Sequence, residues 1–562
     1  MARTRPMHLL KKLAAEHADA RRLRLPVDEL RGLRAEGPGR RTLLGYAAAA
    51  GVAVSTATAS SASAVSSASA VSAGTALPGA AATPDPPVKD GAARVAVVGA
   101  GIAGLTAALT LQDAGLAPVL YEADPDRVGG RIWTQRAHWA YGQTSEIGAE
   151  LIDTGHKKIL ELCRRFGLAT EDFLGGGPNG AEEILWFGGA YYPRDQADSD
   201  FNGVYQALRR DLSDAGEVTW NRTTPTGTAL DGMSLYEWIE RRVPGGHGSP
   251  LGRFLDVAYN VEYGADTTEQ SALALVLLMG YQTNPGNFNV WGLSNERYHI
   301  VGGNDRLPNA VAGALNPGTL RMGWSLEAVR ANTDGTQTLT FTEAGATRTV
   351  TADHTVLCVP LPILQRLDLG RAGFDPLMTN LLRDARMGYC TKLNMQFATR
   401  PWRGTGPWPG VSAGDCFTDS EVQQTWDTTK VQGGTGGILL QYGGGSLARS
   451  LTPGTPFATE SDPYVRGLVT RHLTGIDAFF PDTSRAYTGR AQLSAWHRNP
   501  YALGAYSYWP VGYLHRYAGY EGTAQGRIHL GGEHCSYDFQ GFMEGGATEG
   551  ERAAKEVIAA LR

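Results

Sequence analysis

A short apolar run that leads directly into a glycine-spaced turn constrains this chain more than any other feature. Residues 95–98 are followed by Gly99, Gly101 and Gly104 in the spacing G-x-G-x-x-G, and then by a helical pattern of alanine and leucine. In such a unit the first glycine permits the tight turn, the second lets a phosphate approach bare backbone, and the third lets the helix pack on the strand. The phosphates then face the positive N-terminus of the helix. The sequence therefore predicts a βαβ unit that binds a dinucleotide.

An acidic residue at the end of the next apolar run supports this interpretation. Glu122 follows residues 118–121 and lies about 20 residues beyond the glycines, where a carboxylate accepts a ribose hydroxyl. A carboxylate at this position also disfavours a 2′-phosphate. A glycine-rich turn without a ligand is the alternative, because the chain has 72 glycines. Strand, helix and acid together favour the cofactor site.

Two further glycine-rich segments indicate which dinucleotide is bound. The first spans residues 126–131 and ends in Gly129-Gly130-Arg131; the second combines residues 529–534 and 540–547, before a C-terminal helical pattern. These segments resemble those of the flavin amine oxidases, the family of monoamine, polyamine and L-amino acid oxidases. In that family the arginine of the first segment meets the pyrophosphate, and the second segment closes over the ribityl chain.

The resemblance spans Arg94 to Arg562 and implies FAD as the cofactor. The cysteine that links flavin in the animal monoamine oxidases matches Ala505 here, which implies that FAD is bound non-covalently. The residues that the resemblance assigns to the cofactor are Gly99, Gly101, Gly104, Glu122, Gly130, Arg131, Val329, Gly532, Glu533, Gly541, Phe542 and Met543.

Because the cofactor segments lie at opposite ends of the chain, we expect an α/β fold with a discontinuous Rossmann-like, GR2-type FAD-binding domain. An α+β substrate-binding domain is interleaved with it. The predicted FAD-binding parts are residues 91–153, 296–379 and 500–562, and the predicted substrate-domain parts are residues 154–295 and 380–499. Apolar spacing predicts helices in the substrate domain over residues 203–215, 234–242 and 269–279.

Residues 1–90 precede this fold and have the character of a targeting segment. Arg40 and Arg41 are followed by a weakly apolar stretch and small-residue cleavage sites, and then by a Ser/Ala-rich run. We expect a twin-arginine export signal with a disordered spacer, and hence a secreted or cell-envelope protein. A basic tail without export is the alternative. No stretch reaches the roughly 18 apolar residues of a membrane span, so we expect no stable membrane insertion.

Composition narrows the possible partners. A net charge of −5 gives no reason to expect nucleic acid. Five cysteines, an odd number without metal-ligand spacing, suggest neither a disulfide scaffold nor a zinc site. The expected partners are therefore a small-molecule amine or amino acid and O2, and a homodimer is left open.

Three residues are the candidates for the reaction site. Lys392 lies within a strand-like apolar alternation and matches the family lysine that holds a water at flavin N5. Tyr506 and Phe542 match the two aromatic walls that direct the amine towards the flavin. A solvated strand lysine and two aromatic core residues are the alternative assignments.

The resemblance implies oxidative deamination, in which a neutral amine gives hydride to flavin N5 and O2 becomes H2O2. The segment from Gly148 to Asp153 lacks the arginine that holds an α-carboxylate in well-known L-amino acid oxidases, yet it resembles bacterial amino acid oxidases. We therefore expect an L-amino acid as substrate, with Glu150 or Asp153 as candidates for a second cationic group. Carboxylates that the backbone or the flavin loop satisfies are the alternative assignment for these two residues. A monoamine or polyamine oxidase, an amide-forming amino acid monooxygenase and a non-catalytic flavin-binding protein are the alternatives.

Overall fold

A computed structural model describes residues 93–282 and 288–562. The predicted export signal and spacer, residues 1–90, lie outside the described residues. In the described part of the chain, no helix is both long and apolar enough to cross a bilayer.

The first layer is a five-stranded parallel sheet. Its strands are rich in valine, isoleucine and leucine and almost entirely buried, as in sheets that are covered on both faces. Helices Ile102–Asp113 and Met543–Ala560 cover one face and approach so closely that a Cβ atom on Gly550 would overlap Ala103 O. The strand order is Ile528–Leu530, His354–Leu357, Val95–Val98, Val119–Glu122 and Leu320–Met322.

A four-stranded sheet covers the opposite face. Tyr121 of the parallel sheet stacks on Phe341 of this second sheet, with ring centroids 4.5 Å apart. The strands follow the order Ala346–Ala352, Gln337–Glu343, Trp324–Ala331 and Asp368–Arg371. These two layers draw strands from the beginning, middle and end of the chain. The predicted fold class, an α/β fold with a discontinuous Rossmann-like domain, is confirmed; the exact domain boundaries stay a prediction.

The remaining large element is a seven-stranded mixed sheet. Its second strand, Cys390–Phe397, pairs with strands on both edges and is buried along its whole length. The strand order is Tyr487–Ala495, Cys390–Phe397, Gly437–Gly444, Gln424–Asp427, Cys416–Thr418, Ile184–Phe187 and Ala190–Tyr191. Strand pairs outside the large sheets are Thr134–Gln135 with Ser145–Glu146, Thr170–Asp172 with Tyr298–Ile300, and Arg386–Met387 with Ser507–Tyr508.

Helices pack around the mixed sheet and begin at residues with clear capping chemistry. Ser234 and Glu237 form a capping box at the helix Leu235–Arg242. The helix Pro250–Tyr263 begins after Ser249 and ends at Gly264, whose φ of 64° suits glycine. The other helices of this region are Arg194–Ala215, Pro225–Asp231, Ala272–Met279, Gly445–Arg449 and Pro463–Asp477; elsewhere they are Lys157–Arg165, Arg306–Gly313, Leu361–Leu364, Pro376–Asp384 and Leu514–Tyr517.

A buried histidine joins the early and middle segments of the cofactor domain. His299 Nε2 lies 2.9 Å from Glu146 Oε1, and His299 Nδ1 lies 2.9 Å from Glu171 Oε1. Burial lowers the pKa of His299, but the hydrogen bonds to Glu146 and Glu171 outweigh it and raise that pKa to about 9. The protonated imidazole therefore donates to both carboxylates at neutral pH.

We predict that H299Q destabilises the protein most below neutral pH. Because the folded-state pKa of His299 is raised, its contribution is complete below the unfolded pKa of about 6.5 and is lost as pH rises through about 9. A shift of this size corresponds to on the order of 3 kcal/mol. The decrease in melting temperature caused by H299Q should be large at pH 6.5 and much smaller at pH 10.

His472 supplies the control for this experiment. It is buried, and its burial lowers its pKa to about 4, so the imidazole is neutral in the folded protein across that pH range. The effect of H472Q should be the same at both pH values. An effect of H299Q that is equally independent of pH would contradict the ion-pair assignment.

Candidate active site

One cavity of about 920 Å³ connects the glycine turn to the mixed sheet. Residues of both predicted phosphate-binding segments line it, and so do Lys392, Tyr506 and Phe542. A volume of this size is at the upper end for ligand pockets, which hold roughly 300–1,000 Å³. The three candidate reaction residues and the candidate cofactor segments therefore share one enclosed space.

The glycines at the cavity end have different structural roles. Gly99 has φ 95°, which favours glycine, and a Cβ atom on Gly104 would overlap Gly99 O, so that this glycine allows the helix to approach the turn. A Cβ atom on Gly101, by contrast, would have no heavy atom within 4 Å. Gly130, with φ 56°, lies beside Gly101 Cα. Gly101 therefore faces space that the fold itself does not fill.

Two helices begin at this space without a side-chain cap. Gly101 is the N-cap of the helix Ile102–Asp113, and Phe542 is the N-cap of the helix Met543–Ala560; neither side chain accepts a hydrogen bond from the first turn. The first N–H groups of both helices therefore remain available to an anion, and the helix dipoles favour negative charge there. This geometry suits a pyrophosphate.

Glu122 lies where a ribose would follow the phosphates. Its carboxylate accepts hydrogen bonds from Ala100 N at 2.6 Å and from Asp124 N at 2.9 Å. Burial raises the pKa of Glu122, although these two hydrogen bonds lower it. The carboxylate is thus held at the end of its strand, next to the glycine turn.

Arg131 and Glu533 form the junction of the cofactor segments. Arg131 Nη1 donates to Ala505 O at 2.6 Å and to Glu533 Oε1 at 3.0 Å. Glu533 also accepts from Ser507 N, from the Ser507 hydroxyl and from Gly541 N, at 2.7–3.1 Å. Burial raises the pKa of Glu533, but Arg131, His534 and these hydrogen bonds outweigh it and lower the pKa overall. Glu533 therefore contributes to the cofactor site by orienting Arg131 and two loops.

Most of the predicted cofactor residues line the cavity, namely Gly99, Gly101, Glu122, Gly130, Arg131, Gly532, Glu533, Gly541, Phe542 and Met543. Gly104 lies one turn along the helix and acts through packing. Val329 does not reach the cavity wall: it is buried in the strand Trp324–Ala331, opposite Leu339, in the apolar core. The structure therefore gives no support for a side-chain role of Val329 towards the cofactor.

Lys392 is held by an ion pair in the cavity wall. Its Nζ lies 2.6 Å from Glu150 Oε2, and the Trp426 indole N–H donates to Glu150 Oε1 at 3.0 Å. Lys392 Nζ also lies 5.5 Å from the centre of the Trp426 ring. The sequence analysis assigned Lys392 to the flavin and Glu150 to a substrate cation, and it did not identify Trp426. These three residues are far apart in the sequence, so no local pattern indicates that they are in contact.

The aromatic candidates lie on neighbouring parts of the wall. The Tyr506 hydroxyl donates to Val261 O at 3.0 Å and lies 2.9 Å from the Tyr442 hydroxyl. Burial raises the pKa of both tyrosines well above its ordinary value, so both stay neutral. Phe542 is half-buried, with its ring 5.1 Å from that of His156. Tyr442 was not identified as a site residue from the sequence, because only its contact with Tyr506 in the folded protein places it at the site.

Among the carboxyl groups that line the cavity, those of Glu182, Glu262 and Glu296 have no side-chain partner in the described part of the chain. Neither Glu262 nor Glu296 makes a side-chain hydrogen bond or ion pair with another described residue, and both line the cavity. Burial, with a smaller effect from Asp153, raises the pKa of Glu262 to about 7. Burial raises the pKa of Glu296 well above its ordinary value, and the nearby Glu262 adds to this effect.

Asp153, which the sequence suggested for cation binding, has a different role here. Its Oδ1 accepts from Ser294 Oγ, Asn295 N and Glu296 N at 2.7–3.2 Å. This carboxylate therefore fixes the loop that carries Glu296, whose φ is 46°. The sequence analysis proposed neither Glu262 nor Glu296 as a site residue.

Two lysine or arginine residues on this side of the cavity are already paired. Arg194 Nη1 lies 2.9 Å from Glu183 Oε2, and Lys430 Nζ lies 3.0 Å from Asp415 Oδ1. Together with the Lys392–Glu150 pair, these pairs leave the carboxyl groups of Glu182, Glu262 and Glu296 without a cation among the described residues that line the cavity.

Comparison with known proteins agrees with this geometry. Residues 102–558 match the family model described as flavin containing amine oxidoreductase, so the chain belongs to that family. It is 25% identical over 480 residues to an L-amino-acid oxidase of Mus musculus, covering 83% of this chain and 70% of that protein. It is also 25% identical over 490 residues to a putrescine oxidase of Kocuria rosea, covering 83% of this chain and 95% of that protein.

Solved structures support the same fold. Putrescine oxidase bound to putrescine superimposes with a TM-score of 0.69 at 20% identity, covering 83% of this chain and 99% of that chain. Cyclohexylamine oxidase from Brevibacterium oxydans gives a TM-score of 0.68 at 21% identity, covering 84% of this chain and 99% of that chain.

The cofactor is FAD, and the residues present fit it. The space at Gly101, the uncapped helices and the Glu122 carboxylate suit a pyrophosphate and a ribose. Ala505 offers no nucleophile for a covalent link, in agreement with non-covalent binding. The chain is thus a flavin-dependent amine oxidoreductase.

We predict that two alanine substitutions in the glycine turn affect different properties, FAD affinity in G101A and protein stability in G104A. G101A places a methyl group in space that the polypeptide leaves open, so the apoprotein should keep its melting temperature while FAD affinity falls by at least about tenfold. G104A forces the helix off the turn and should lower the melting temperature by several degrees. Calorimetry of apoprotein and flavin titration measure the two effects; a destabilised G101A apoprotein with normal FAD affinity would contradict the assignment.

Proposed function

We propose that this protein catalyses the FAD-dependent oxidative deamination of a primary amine that carries a second positively charged group, with O2 as the acceptor. The observation that carries the proposal is the pair of partnerless carboxyl groups, Glu262 and Glu296, on the cavity wall. Carboxyl groups inside a protein favour a cation as partner, because burying them alone is unfavourable. A cationic group of the substrate supplies that partner.

The charge balance of the wall supports this substrate class. An α-carboxylate needs a cation that is free to bind it, whereas Arg194 and Lys430 are each paired with a carboxylate. A monocarboxylic amino acid with an apolar side chain therefore finds little to recognise it. A basic L-amino acid and a diamine share the required chemistry, a reactive amine and a distant cation.

Val261 connects the parts of the protein that would contact the two ends of such a substrate. Its carbonyl oxygen accepts the Tyr506 hydroxyl, and the next residue along the helix is Glu262. The reacting amine at Tyr506 and a cation at Glu262 or Glu296 would therefore occupy one continuous cavity. Tyr506 and Phe542, on the same wall, supply apolar faces against the reacting amine.

FAD supplies the redox chemistry when it is bound, taking a hydride from the amine carbon and passing two electrons to O2, which with two protons becomes hydrogen peroxide. The residues of the chain prepare the amine for this. Tyr506 and Tyr442 are neutral and buried, and a water-poor wall favours the neutral amine over the ammonium by desolvation. The imine then reacts with water to give a carbonyl compound and ammonia.

We predict that E262Q and E296Q discriminate between matched substrates. Each variant should raise the KM of a linear diamine by about tenfold, while the KM of the monoamine of the same chain length changes less than about threefold. Peroxide release, with ammonia followed in parallel, measures both. Lysine and arginine, compared with diamines of similar length, show whether an α-carboxylate is accepted.

The pH dependence gives a second test of the same carboxyl groups. Because the pKa of Glu262 is about 7, its carboxylate forms as pH rises from 6 to 8 and binds a cation more strongly. The preference for the diamine over the monoamine should therefore increase across this range, and E262Q should abolish the increase. Equal KM changes for both substrates in E262Q and E296Q would contradict the second-cation proposal.

A further inference from the structure

Glu150 has both carboxylate oxygens engaged within the cavity wall. One oxygen lies 2.6 Å from Lys392 Nζ, and the other accepts the Trp426 indole N–H at 3.0 Å. The Lys392 and Glu150 side chains are only 9% and 5% exposed. Both acceptor oxygens of Glu150 thus have a donor from the chain itself, which leaves little capacity for a substrate cation.

Lys392 is restrained by the same arrangement. It is the third residue of the buried strand Cys390–Phe397, opposite Tyr442 on one side and Ser494 on the other. The long lysine side chain loses rotational freedom only if its ammonium is held, and Glu150 and the Trp426 face hold it. Glu150 therefore determines where Lys392 Nζ lies.

The restrained lysine is connected to the aromatic wall. The Trp426 ring packs edge-on against Tyr442, with centroids 5.2 Å apart, and the Tyr442 hydroxyl lies 2.9 Å from that of Tyr506. Contacts through Glu150, Trp426 and Tyr442 thus connect Lys392 with Tyr506. A change at Glu150 moves Lys392 first.

We propose that Glu150 is a positioning residue for the reaction with O2, which fixes the Lys392 ammonium at the cavity wall and takes no part in recognising the amine. Two electrons from the reduced cofactor and two protons convert O2 to H2O2, and a fixed ammonium stabilises the negative charge that develops on oxygen as the electrons arrive. The inference rests on the proposed oxidase function.

The chain contains a matched control in the same cavity. Lys430 pairs with Asp415 at 3.0 Å and lies 4.7 Å from the centre of the Phe173 ring. This is also a lysine, a carboxylate and an aromatic ring, but it lacks the contact with Tyr442 and Tyr506. D415N therefore shows how far the loss of a carboxylate partner from another lysine of this cavity changes the reaction with O2.

The first experiment follows the O2 reaction alone. The FAD-loaded protein is reduced with dithionite and mixed with O2 in a stopped-flow instrument, so that the result does not depend on the identity of the amine. E150L and K392M should each lower the second-order rate constant by at least about tenfold, and E150L/K392M should equal K392M, because Glu150 acts only through Lys392. D415N should stay within about twofold of wild type.

E150Q keeps an oxygen acceptor for Lys392 Nζ, and the double variant E150L/K392M protects the test against misfolding. Removing one partner of a buried ion pair is destabilising, whereas the double variant leaves no lone charge. E150Q should retain the O2 rate constant within about threefold of wild type. A loss as large as in E150L would show that the hydrogen bond does not position the lysine and would overturn the proposal.

The second experiment needs no catalysis. Acetic anhydride labels free lysine amines, and mass spectrometry compares Lys392 with Lys430 in the same FAD-loaded sample. E150L should raise the labelling of Lys392 by at least about fivefold and leave Lys430 unchanged, and D415N should do the reverse, because each carboxylate shields its own lysine. Unchanged labelling of Lys392 in E150L overturns the pairing.

Anaerobic reduction by the amine separates this inference from the proposed function. E150L should change the rate of cofactor reduction by less than about threefold and leave the preference for a diamine over a monoamine unaltered. Parallel losses in both half-reactions, or a lost diamine preference, would return Glu150 to substrate binding. Wild-type protein that no amine reduces would refute the proposed function while the dithionite experiment still tests Glu150.

Discussion

The buried carboxylate of Glu533 is the interaction on which the active-site geometry depends. It accepts hydrogen bonds from Arg131 of the first cofactor segment, from Ser507 of the strand beside Tyr506, and from Gly541 of the loop before the last helix. These segments are far apart in sequence, and burial alone would make such a carboxylate unfavourable. Four hydrogen bonds make it favourable and fix the pyrophosphate end relative to the aromatic wall.

Charge pairing distinguishes the structural part of the cavity from the part that is free to bind. Lys392, Lys430 and Arg194 each lie within 3.0 Å of a carboxylate oxygen. Such pairs hold side chains in place because leaving either partner alone in a buried site is unfavourable. The partnerless carboxyl groups whose pKa is raised by burial, Glu262 and Glu296, are therefore the ones expected to gain most from a ligand.

Local sequence signals predicted the cofactor domain well, because turn, strand and helix are encoded within a few residues at Gly99–Gly104. The helix predicted over residues 203–215 begins earlier, at Arg194. Its first turns were missed because they are mostly polar and show no apolar period, although Ala197 and Phe201 are buried in the structure. The contact between Lys392 and Glu150 joins residues 242 positions apart. No spacing rule reveals such a pair, so Glu150 was assigned to substrate rather than to the lysine.

The proposed substrate with two amines binds with its reacting amine neutral and its other amine protonated. The two parts of the cavity differ electrostatically in a way that favours these two states. At the reacting end Tyr506, Tyr442 and Cys390 are buried, and burial raises the pKa of each, so these three groups stay neutral and favour a neutral amine. Towards Glu296 the cations Arg194 and Lys430 are each paired with a carboxylate, so this part of the wall favours an added ammonium. Binding of that ammonium lowers the pKa of the carboxyl group and releases a proton. The orientation of a diamine, and hence which carbon is oxidised, then follows from the difference between the two ends rather than from shape alone.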